Sequence, residues 1–375
     1  MIQDAFALIF TGENNPYMRD LTLSRAVAAL PFGGRYRVID FVLSNLVNSN
    51  IQNVGLITQK NYHSLMDHLG SGKEWDLNRK RDGLFFLPPF STKDNTGLYR
   101  GDIEAFHSVM QYVRRSSQKY LILSGSHTVF NTTFNKILQQ HVDSGADLTI
   151  MYNEDPRFYP EEQNRDLRLI LDDDGKTVRE LEWNPHHPRS NYRSCEITII
   201  DKTLFDDLVE ESYSRGGVDF MRDILLPRAK DFKIMGWRYD GYVARIDSVN
   251  TYFMHSMEIL NHKEASDLFN MDHPIYTKVK DETSTKYGSR AEARNCILAD
   301  GCRIDGIVEN SILFRGVTVE AGAVVRNSIL MQGAKVRTGA RLDHTVLDKN
   351  VTVTPGRSLV GYDGIPLVFR KNLTV

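Results

Sequence analysis

The chain has 375 residues, 41% of them hydrophobic and 25% charged, a composition typical of soluble globular proteins. The formal net charge is -2 at pH 7 and the pI is about 6.6, so the chain has no strongly basic character. Nucleic acid and anionic membrane surfaces are therefore not expected as partners.

The chain contains three cysteines, Cys195, Cys296 and Cys302, which share neither metal-ligand nor redox spacing. No apolar stretch reaches membrane-spanning length, and no secretory signal segment is recognisable. These features predict a cytoplasmic protein whose thiols are buried or unpaired.

A strand, a loop and a helix open the chain. Residues 5–10 form an apolar run of strand length, residues 11–16 favour a turn, and helical spacing of apolar residues marks a helix from Ile39 to Val47. In nucleotide-binding α/β domains the loop after the first strand holds phosphates, because glycines let backbone N–H groups converge on an anion. Here the loop has one glycine, Gly12, and the next residue, Glu13, would repel a triphosphate.

Strand-like and helix-like segments alternate farther along the chain. Strands are predicted at residues 54–57, 83–87 and 120–123, and helices at 62–69 and 103–113. This alternation predicts a Rossmann-like domain with a mostly parallel sheet, whose ligands bind beyond the carboxyl ends of the strands. The acidic residues 172–174 lie between two strand-like segments, which favours a hairpin turn over a metal site.

In the C-terminal part an apolar residue recurs every five or six residues, and this spacing pattern repeats every 17 residues. The pairs Gly322-Ala323 and Gly339-Ala340 follow the same 17-residue period. Hexapeptide units with this period indicate a left-handed parallel β-helix. The predicted organisation is an α/β domain over residues 1–255, a linker over 256–290 and the β-helix over 291–375. The recurring positions are Cys302, Val308, Leu313, Val319, Val325, Leu330, Val336, Leu342, Leu347 and Val353.

Hexapeptide β-helices also occur in acyltransferases, which use a catalytic histidine. The one histidine within the repeat, His344, occupies a position that is periodic with Asn310 and Asn327. We therefore interpret His344 as a structural residue.

The N-terminal segment resembles the signature of the glucose-1-phosphate adenylyltransferases, or ADP-glucose pyrophosphorylases, of the sugar nucleotidyltransferase superfamily. Residues 20–22 (DLT), 25–26 (RA), 32–41 (FGGRYRVIDF) and 43–45 (LSN) keep the register of this signature without a gap. Tyr17 stands where the family has an arginine, and Val27 stands where it has a lysine. The resemblance covers essentially the whole chain and implies a GT-A-like nucleotidyltransferase domain followed by a left-handed β-helix.

The resemblance also locates two aspartates that hold Mg²⁺ in the family. The L-S-G-D-H stretch is similar to residues 123–127, with Ser126 in place of the first aspartate, and the later Y-W-R-D-V-G-T stretch is similar to residues 242–248, with Arg245 in place of the second. We therefore expect that the Mg²⁺ site is lost and that no cofactor is bound. A weakly active enzyme that uses Asp247 or Asp102 for the metal stays open as an alternative.

Other family positions concern the sugar and the nucleotide. Asn184 replaces the lysine of the E-K-P stretch, which clamps the sugar phosphate in the family, and Glu196 aligns with a glycine beside the sugar. Gln59 matches the glutamine that reads adenine, so that Gly12, Gln59 and Gly70 imply a vestigial nucleotide site. Arg222 matches a lysine of the D-F-G-K-D-I stretch, where it could still contact a phosphate.

These replacements imply a regulatory, catalytically decayed subunit of ADP-glucose pyrophosphorylase. By resemblance, its partner is the catalytic subunit of the same family, in a hetero-oligomer, most simply a tetramer. The third interpretation is a non-enzymatic sensor of a sugar phosphate. Its candidate anion ligands are Arg35, Arg37, Arg370 and Lys371.

Overall fold

The computed structural model describes residues 4–12, 15–89, 99–157 and 165–375, and the N-terminal region is built on one large sheet. The strands of the N-terminal region, including those outside the large sheet, are β1 (Ala5–Phe10), β2 (Pro31–Phe32), β3 (Tyr36–Arg37), β4 (Asn53–Ile57), β5 (Gly83–Leu87), β6 (Tyr120–Ser124), β7 (Thr128–Val129), β8 (Leu148–Glu154), β9 (Leu167–Leu171), β10 (Val178–Trp183), β11 (Tyr192–Asp201), β12 (Ile234–Arg238) and β13 (Ala244–Arg245). Its helices are α1 (Val38–Asn48), α2 (His63–Leu69), α3 (Asp102–Ser108), α4 (Met110–Arg115), α5 (Asn135–Ser144), α6 (Lys202–Ser214), α7 (Val249–Glu258) and α8 (His262–Leu268).

The large sheet has the order β10-β9-β11-β6-β1-β4-β5, with β8 also beside β11 and β12 beside β8. Strands β1, β4, β5, β6, β8, β9 and β12 run in one direction, whereas β10 and β11 run in the other. The sheet is therefore mostly parallel, as predicted. The strands predicted from the alternation are confirmed, but the helix predicted over 103–113 is two helices, α3 and α4, that meet at Val109.

Strand β1 lies at the centre of the sheet and is buried on both faces. Phe6, Leu8 and Phe10 pack into the core on one face. Ala5, Ala7 and Ile9 pack into the core on the other. This two-sided burial explains why β1 reads as a continuous apolar run rather than an alternating one.

The C-terminal region is a left-handed parallel β-helix. Its strands repeat every 17 residues, as shown by the pairs Val324 with Arg341 and Thr318 with Lys335. All of the recurring apolar positions predicted from the sequence lie in its core. The strands are β14 (Lys286–Tyr287), β15 (Glu292–Leu298), β16 (Arg303–Ile304), β17 (Ile307–Leu313), β18 (Thr318–Val319), β19 (Val324–Arg326), β20 (Ile329–Leu330), β21 (Lys335–Val336), β22 (Arg341–Asp343), β23 (Thr345–Leu347), β24 (Thr352–Val353), β25 (Ser358–Val360) and β26 (Leu367–Phe369).

One corner of the β-helix is a stack of residues with left-handed backbone. Asn310, Asn327 and His344 have φ of 44°, 42° and 45° at successive rungs. Asparagine tolerates this conformation better than most residues. The His344 ring lies 2.8 Å from Asp343 and contacts Phe253, so that His344 belongs to the corner and to the packing between domains.

The two domains share a hydrophobic core. Phe41 of α1 and Phe253 of α7 pack in one cluster with Phe314, Ile329 and Val346 of the β-helix. Helix α8 lies within the segment predicted as a linker. Within the described ranges, no helix is long and apolar enough to cross a membrane.

Candidate functional site

A cleft of about 530 Å³ opens at the carboxyl ends of β1 and β4. The backbone N–H and the hydroxyl of Thr11 both donate to Ile57 O at 2.9 Å, which ties the loop after β1 to the end of β4. The cleft is where the strand alternation predicts a ligand site. It is lined by Phe10, Thr11, Gly12, Asn15, Thr22, Arg25, Ala26, Val27, Gln59, Lys60, Asn61, Tyr99, Arg100, Gly101, Asp102, Arg165, Trp183, Asn184, Val218, Asp219 and Arg222.

The structure brings Gly12 and Gln59 together in this cleft. A Cβ on Gly12 would lie 2.8 Å from the Phe10 ring and 2.9 Å from Gln59 Oε1, so a larger residue here would require these side chains to shift. The Gln59 side-chain amide donates to Tyr99 O at 2.8 Å. Gly70 ends α2 with φ of 53° and does not line the cleft. Glu13, which we expect to repel a triphosphate, lies outside the described residues.

Of the four positions that match the family's arginine and lysines, only Arg222 brings a cation to the cleft. Val27 lines the cleft with an apolar side chain, while the half-buried Tyr17 donates its backbone N–H to Asn15 Oδ1 at 3.0 Å. Asn184 also lines the cleft, but its Oδ1 accepts a hydrogen bond from the Asp166 N–H at 2.7 Å. Arg222 does line the cleft, and its Nε donates to Asp223 Oδ1 at 2.6 Å.

Arg245 lies beside the Ser126 loop because strand β7, which follows this loop, pairs with β13 and places Arg245 opposite Thr128. Arg245 is buried, and its Nη2 donates to Ser194 O. Its Nη1 lies 3.7 Å from Glu196 Oε1, and its Nε lies 3.9 Å from Asp247 Oδ2. The guanidinium therefore lies close to two carboxylates.

His127 and Arg193 complete this buried network. His127 Nε2 lies 3.1 Å from Glu196 Oε1 and 3.2 Å from Asp247 Oδ1. Arg193 Nη2 donates to Asp247 Oδ2 at 3.1 Å. Burial alone would raise the pKa of the Asp247 carboxyl, but His127 and the arginines outweigh it and hold this pKa below its usual value.

The side chains of Ser126 and Arg245, where the family has its two metal-binding aspartates, do not fit a Mg²⁺ ion. Magnesium prefers carboxylate and water oxygens in octahedral geometry, whereas Ser126 offers a hydroxyl and Arg245 brings a fixed positive charge. The nearby Asp247 already neutralises cationic side chains. Among the described residues, no group of three or more histidines, cysteines, aspartates and glutamates could hold a metal ion.

Glu196 adopts a backbone conformation that suits glycine. Its φ is 61°, and the register of β11 against β8 shifts between Ser194 and Ile197. Its carboxylate lies so close to Gly125 that a Cβ there would come within 2.1 Å of Glu196 Oε2. These observations agree with the alignment that puts a family glycine at this position, and they show a carboxylate covering the Ser126 loop.

Arg165 lines both the cleft and a smaller inner cavity of about 60 Å³. Its Nη2 donates to Asp102 Oδ2 at 2.6 Å, and its Nη1 donates to Asp219 Oδ2 at 3.5 Å. Its guanidinium also lies 5.7 Å from the centre of the Trp183 ring. Burial raises the pKa of Asp102, although Arg165 opposes the effect. Asp102, considered above as an alternative metal ligand, is thus paired with an arginine.

A second, basic pocket of about 50 Å³ lies between the domains. Arg35 and Arg37 line it, as the sensor interpretation expects. Arg370 and Lys371 do not line it; they are exposed after β26. No local motif marks the further cations of this pocket, which come from the β-helix and the segment before it. The basic pocket is lined by Pro31, Gly34, Arg35, Tyr36, Arg37, His68, Lys278, Lys280, Phe314, Arg315, Gln332 and Lys349.

The electrostatics of the basic pocket favour an anion. Arg315 is 9% exposed, and burial lowers its pKa. Burial also lowers the pKa of Lys349 to about 8, and the charges of Arg37 and Arg25 act in the same direction. Cations that depress one another's pKa values gain most when an anion binds between them.

Comparisons with known proteins agree with this architecture. A profile of the family described as Nucleotidyl transferase matches residues 7–233, and one described as GlmU-like, C-terminal hexapeptide matches residues 279–365. The chain is similar to the glycogen biosynthesis protein GlgD of Bacillus subtilis (strain 168), with 40% identity over 356 residues, 95% of this chain and 92% of the relative. It is 39% identical to GlgD of Geobacillus stearothermophilus over 82% of this chain and 78% of the relative. It is 32% identical to the glucose-1-phosphate adenylyltransferase of Clostridium novyi (strain NT) over 86% of this chain and 84% of the relative.

Proposed function

The chain belongs to the nucleotidyl transferase family, with GlgD proteins and glucose-1-phosphate adenylyltransferases among its relatives, and we propose that it serves glycogen biosynthesis as a regulatory subunit. In this proposal it acts on ADP-glucose pyrophosphorylase, which converts ATP and glucose 1-phosphate to ADP-glucose and diphosphate. Its own catalytic residues have decayed.

The position of Arg245 is the observation that carries the proposal. Phosphoryl-type transfer depends on positioning and on neutralising the charge of the phosphates, a task that the resembled family gives to Mg²⁺. Here a guanidinium lies beside Glu196 and Asp247, and the Ser126 loop has no carboxylate to offer. A single lost donor typically costs about 10²–10³ in rate, and several positions have changed together.

The two positions that match sugar-contacting residues of the family, Asn184 and Glu196, also support a loss of catalysis. The Asn184 side chain bonds to backbone instead of presenting a cation to a sugar phosphate. The Glu196 carboxylate lines the inner cavity, where it would repel the phosphate of glucose 1-phosphate.

We propose that the partner is a catalytic subunit of the same family, bound in a hetero-oligomer, most simply a tetramer. A subunit that keeps the fold but lacks catalysis can change the rate of ADP-glucose synthesis only through a protein that catalyses it.

The proposal is tested by mixing the purified chain with the catalytic glucose-1-phosphate adenylyltransferase from the same organism. Size-exclusion chromatography with light scattering reports complex formation, and ADP-glucose synthesis reports the effect. We expect one mixed species whose rate or activation differs from that of the catalytic subunit alone. Two separate species with an unchanged rate would contradict the proposal.

The basic pocket favours a second function, the binding of a sugar phosphate without catalysis. Arg35 and Arg37 meet Arg315 and Lys349 of the β-helix there, so a bound phosphate would join the two domains. Binding to the native state raises stability by mass action. Thermal stabilisation by fructose bisphosphate tests this function. We expect the Lys349→Gln variant to lose the stabilisation and Lys335→Gln, the exposed control, to keep it.

A further inference from the structure

The inner cavity has a polar wall made by two neighbouring strands of the large sheet. Ser124, at the end of β6, and Thr198, on β11, both line the cavity. Glu196, two residues before Thr198, lines it as well. Strands β6 and β11 are hydrogen-bonded to each other, with Ile197 opposite Ser124. The three polar side chains are therefore held in place by the sheet.

The hydroxyl of Thr198 has no hydrogen-bond partner in the part of the chain that the structure describes. Thr198 is 1% exposed, so bulk water does not reach it either. Buried polar groups normally find a partner in the protein or in a bound molecule. Because Thr198 lines the inner cavity, its partner is expected to be a molecule that fills this cavity.

The remaining polar groups of the wall suit ligand hydroxyls. The Ser124 hydroxyl donates to Gly125 O at 2.7 Å, and its oxygen can still accept a hydrogen bond. Oε2 of Glu196 accepts a long hydrogen bond of 3.4 Å from Thr128, whereas an ionised carboxylate can accept about four. A sugar hydroxyl both donates and accepts, and so matches this wall. A phosphate brings negative charge and few donors, and so does not match it.

The size of the inner cavity suits part of a sugar ring. A buried water needs about 10–15 Å³, so a cavity of about 60 Å³ has room for about four to six non-hydrogen atoms. The rest of a hexose would lie in the adjoining cleft, where the Trp183 ring offers a flat apolar surface. The inner cavity and the cleft share the lining residues Phe10, Asp102, Arg165 and Trp183.

We propose that the inner cavity and the adjoining cleft bind an uncharged sugar, and that Thr198 and Glu196 select it over a sugar phosphate. Thr198 supplies a hydroxyl that needs a partner, and Glu196 accepts hydrogen bonds from hydroxyls while it repels phosphate. The inference rests on the proposed loss of catalysis. It deepens that proposal because it names the class of ligand that the altered site binds.

The test begins with isothermal titration calorimetry of the full chain with glucose, for which we expect saturable binding. Glucose 1-phosphate is then tested for its ability to displace bound glucose, which a phosphate held in the basic pocket does not do. We expect displacement to require at least about tenfold more glucose 1-phosphate than unlabelled glucose, because like charges brought together at a binding site disfavour the complex. Glu196→Gln removes the charge but keeps an acceptor, and should narrow this difference.

Thr198→Val keeps the shape of the side chain and removes its hydroxyl. We expect glucose binding to weaken by about two- to tenfold, the effect of one neutral hydrogen bond, without a lower melting temperature of the unliganded chain. Thr318→Val, at a half-exposed position of β18 outside both cavities, is the matched control and should bind glucose like the wild type.

The outcomes separate this inference from the regulatory proposal. A wild type that binds no glucose would overturn the inference and indicate a cavity filled by water alone, while the regulatory role would still depend on the mixing experiment. Unchanged glucose binding by Thr198→Val would also overturn it. Glucose 1-phosphate that displaces glucose as readily as glucose itself would overturn the inference and remove the sugar-side argument for lost catalysis.

Discussion

Nη1 of Arg245 lies 3.7 Å from Oε1 of Glu196, and the two residues come from strands β13 and β11 on either side of the Ser126 loop. Together with Asp247 and His127 they form a buried network that supplies its own positive charge. In this network the carboxylates are paired with His127 and with arginine side chains.

Removal of the Arg245 charge should destabilise the fold. Arg245→Gln removes a buried guanidinium that lies beside the carboxylates of Glu196 and Asp247. Loss of one partner of a buried pair typically costs about 3–5 kcal/mol. Arg238→Gln is the matched control, because Arg238 pairs with Glu154 and Asp240 at the exposed surface, where such pairs contribute about 0–1 kcal/mol. Urea unfolding measures both variants, and equal losses would contradict the role assigned to Arg245.

Restoration of the two carboxylates should create a response to magnesium. In Ser126→Asp/Arg245→Asp, both substituted positions offer the hard oxygen ligands that Mg²⁺ prefers, next to Asp247. We expect the melting temperature of this variant to rise with MgCl₂ concentration, while that of the wild type does not, with NaCl of equal ionic strength as the control. A wild type that gains as much stability from MgCl₂ would show that the ion binds without these positions.

The carboxyls of the network should contribute to acid sensitivity. The pKa values of Asp247 and Glu196 are lowered in the folded state, where burial opposes and His127 and Arg245 favour the charged form. The stability they confer is therefore present above their unfolded pKa values of about 3.9 and 4.3 and is lost as the pH falls through the folded values.

Asp247→Asn tests this dependence through the free energy of unfolding measured from pH 6 down to pH 3. We expect a shallower loss below about pH 4 than in the wild type, because one proton-linked group is gone. Asp173→Asn, in the exposed turn between β9 and β10, is the control and should change the slope less. Identical slopes for the wild type and Asp247→Asn would refute the assignment.

Anion binding in the basic pocket should weaken above pH 8. The pKa of Lys349 is lowered to about 8, so its positive charge is lost as the pH rises through that value. The same shift means that the unbound protein gains stability between pH 8 and the unfolded lysine pKa of about 10.4, because the folded state binds fewer protons there. Calorimetry of pyrophosphate binding from pH 7 to pH 9 measures the effect.

Lys349→Gln should bind pyrophosphate more weakly at pH 7 and with a flatter pH profile. Lys335→Gln, on strand β21 of the same domain, should keep the wild-type profile, since Lys335 is exposed and outside the pocket. A pH profile that is unchanged in Lys349→Gln would contradict the assignment.

The β-helix and the strands of the N-terminal sheet could be predicted because their signals are local and periodic. The apolar residues that recur every five or six positions from Cys302 to Val353 all face the core of the β-helix, so their spacing alone identifies the domain. Likewise, the helix from Ile39 to Val47 was predicted by its apolar spacing and is confirmed as α1.

The site could be predicted only where it coincides with a motif. Ser126, Arg245 and Glu196 were identified by position, but their mutual contacts join residues far apart in sequence. Arg165 carries no local signal, because a lone arginine in a polar segment looks the same whether it is exposed or paired with Asp102.

The basic pocket shows the same limit more plainly. Arg35 and Arg37 were predicted as anion ligands and line the pocket, whereas Arg370 and Lys371 lie elsewhere. The additional cations, Arg315 and Lys349, come from positions on the β-helix that only the coiling of the chain brings to the domain interface.

Synthesis of ADP-glucose by the isolated chain, with ATP, glucose 1-phosphate and Mg²⁺, tests the central claim most directly. The proposed loss of catalysis predicts no product above the rate without protein, at protein concentrations where a catalytic subunit gives a robust signal. A rate that Ser126→Ala or Asp247→Asn abolishes would contradict the account, since it would mean that a working metal site has been rebuilt from these residues.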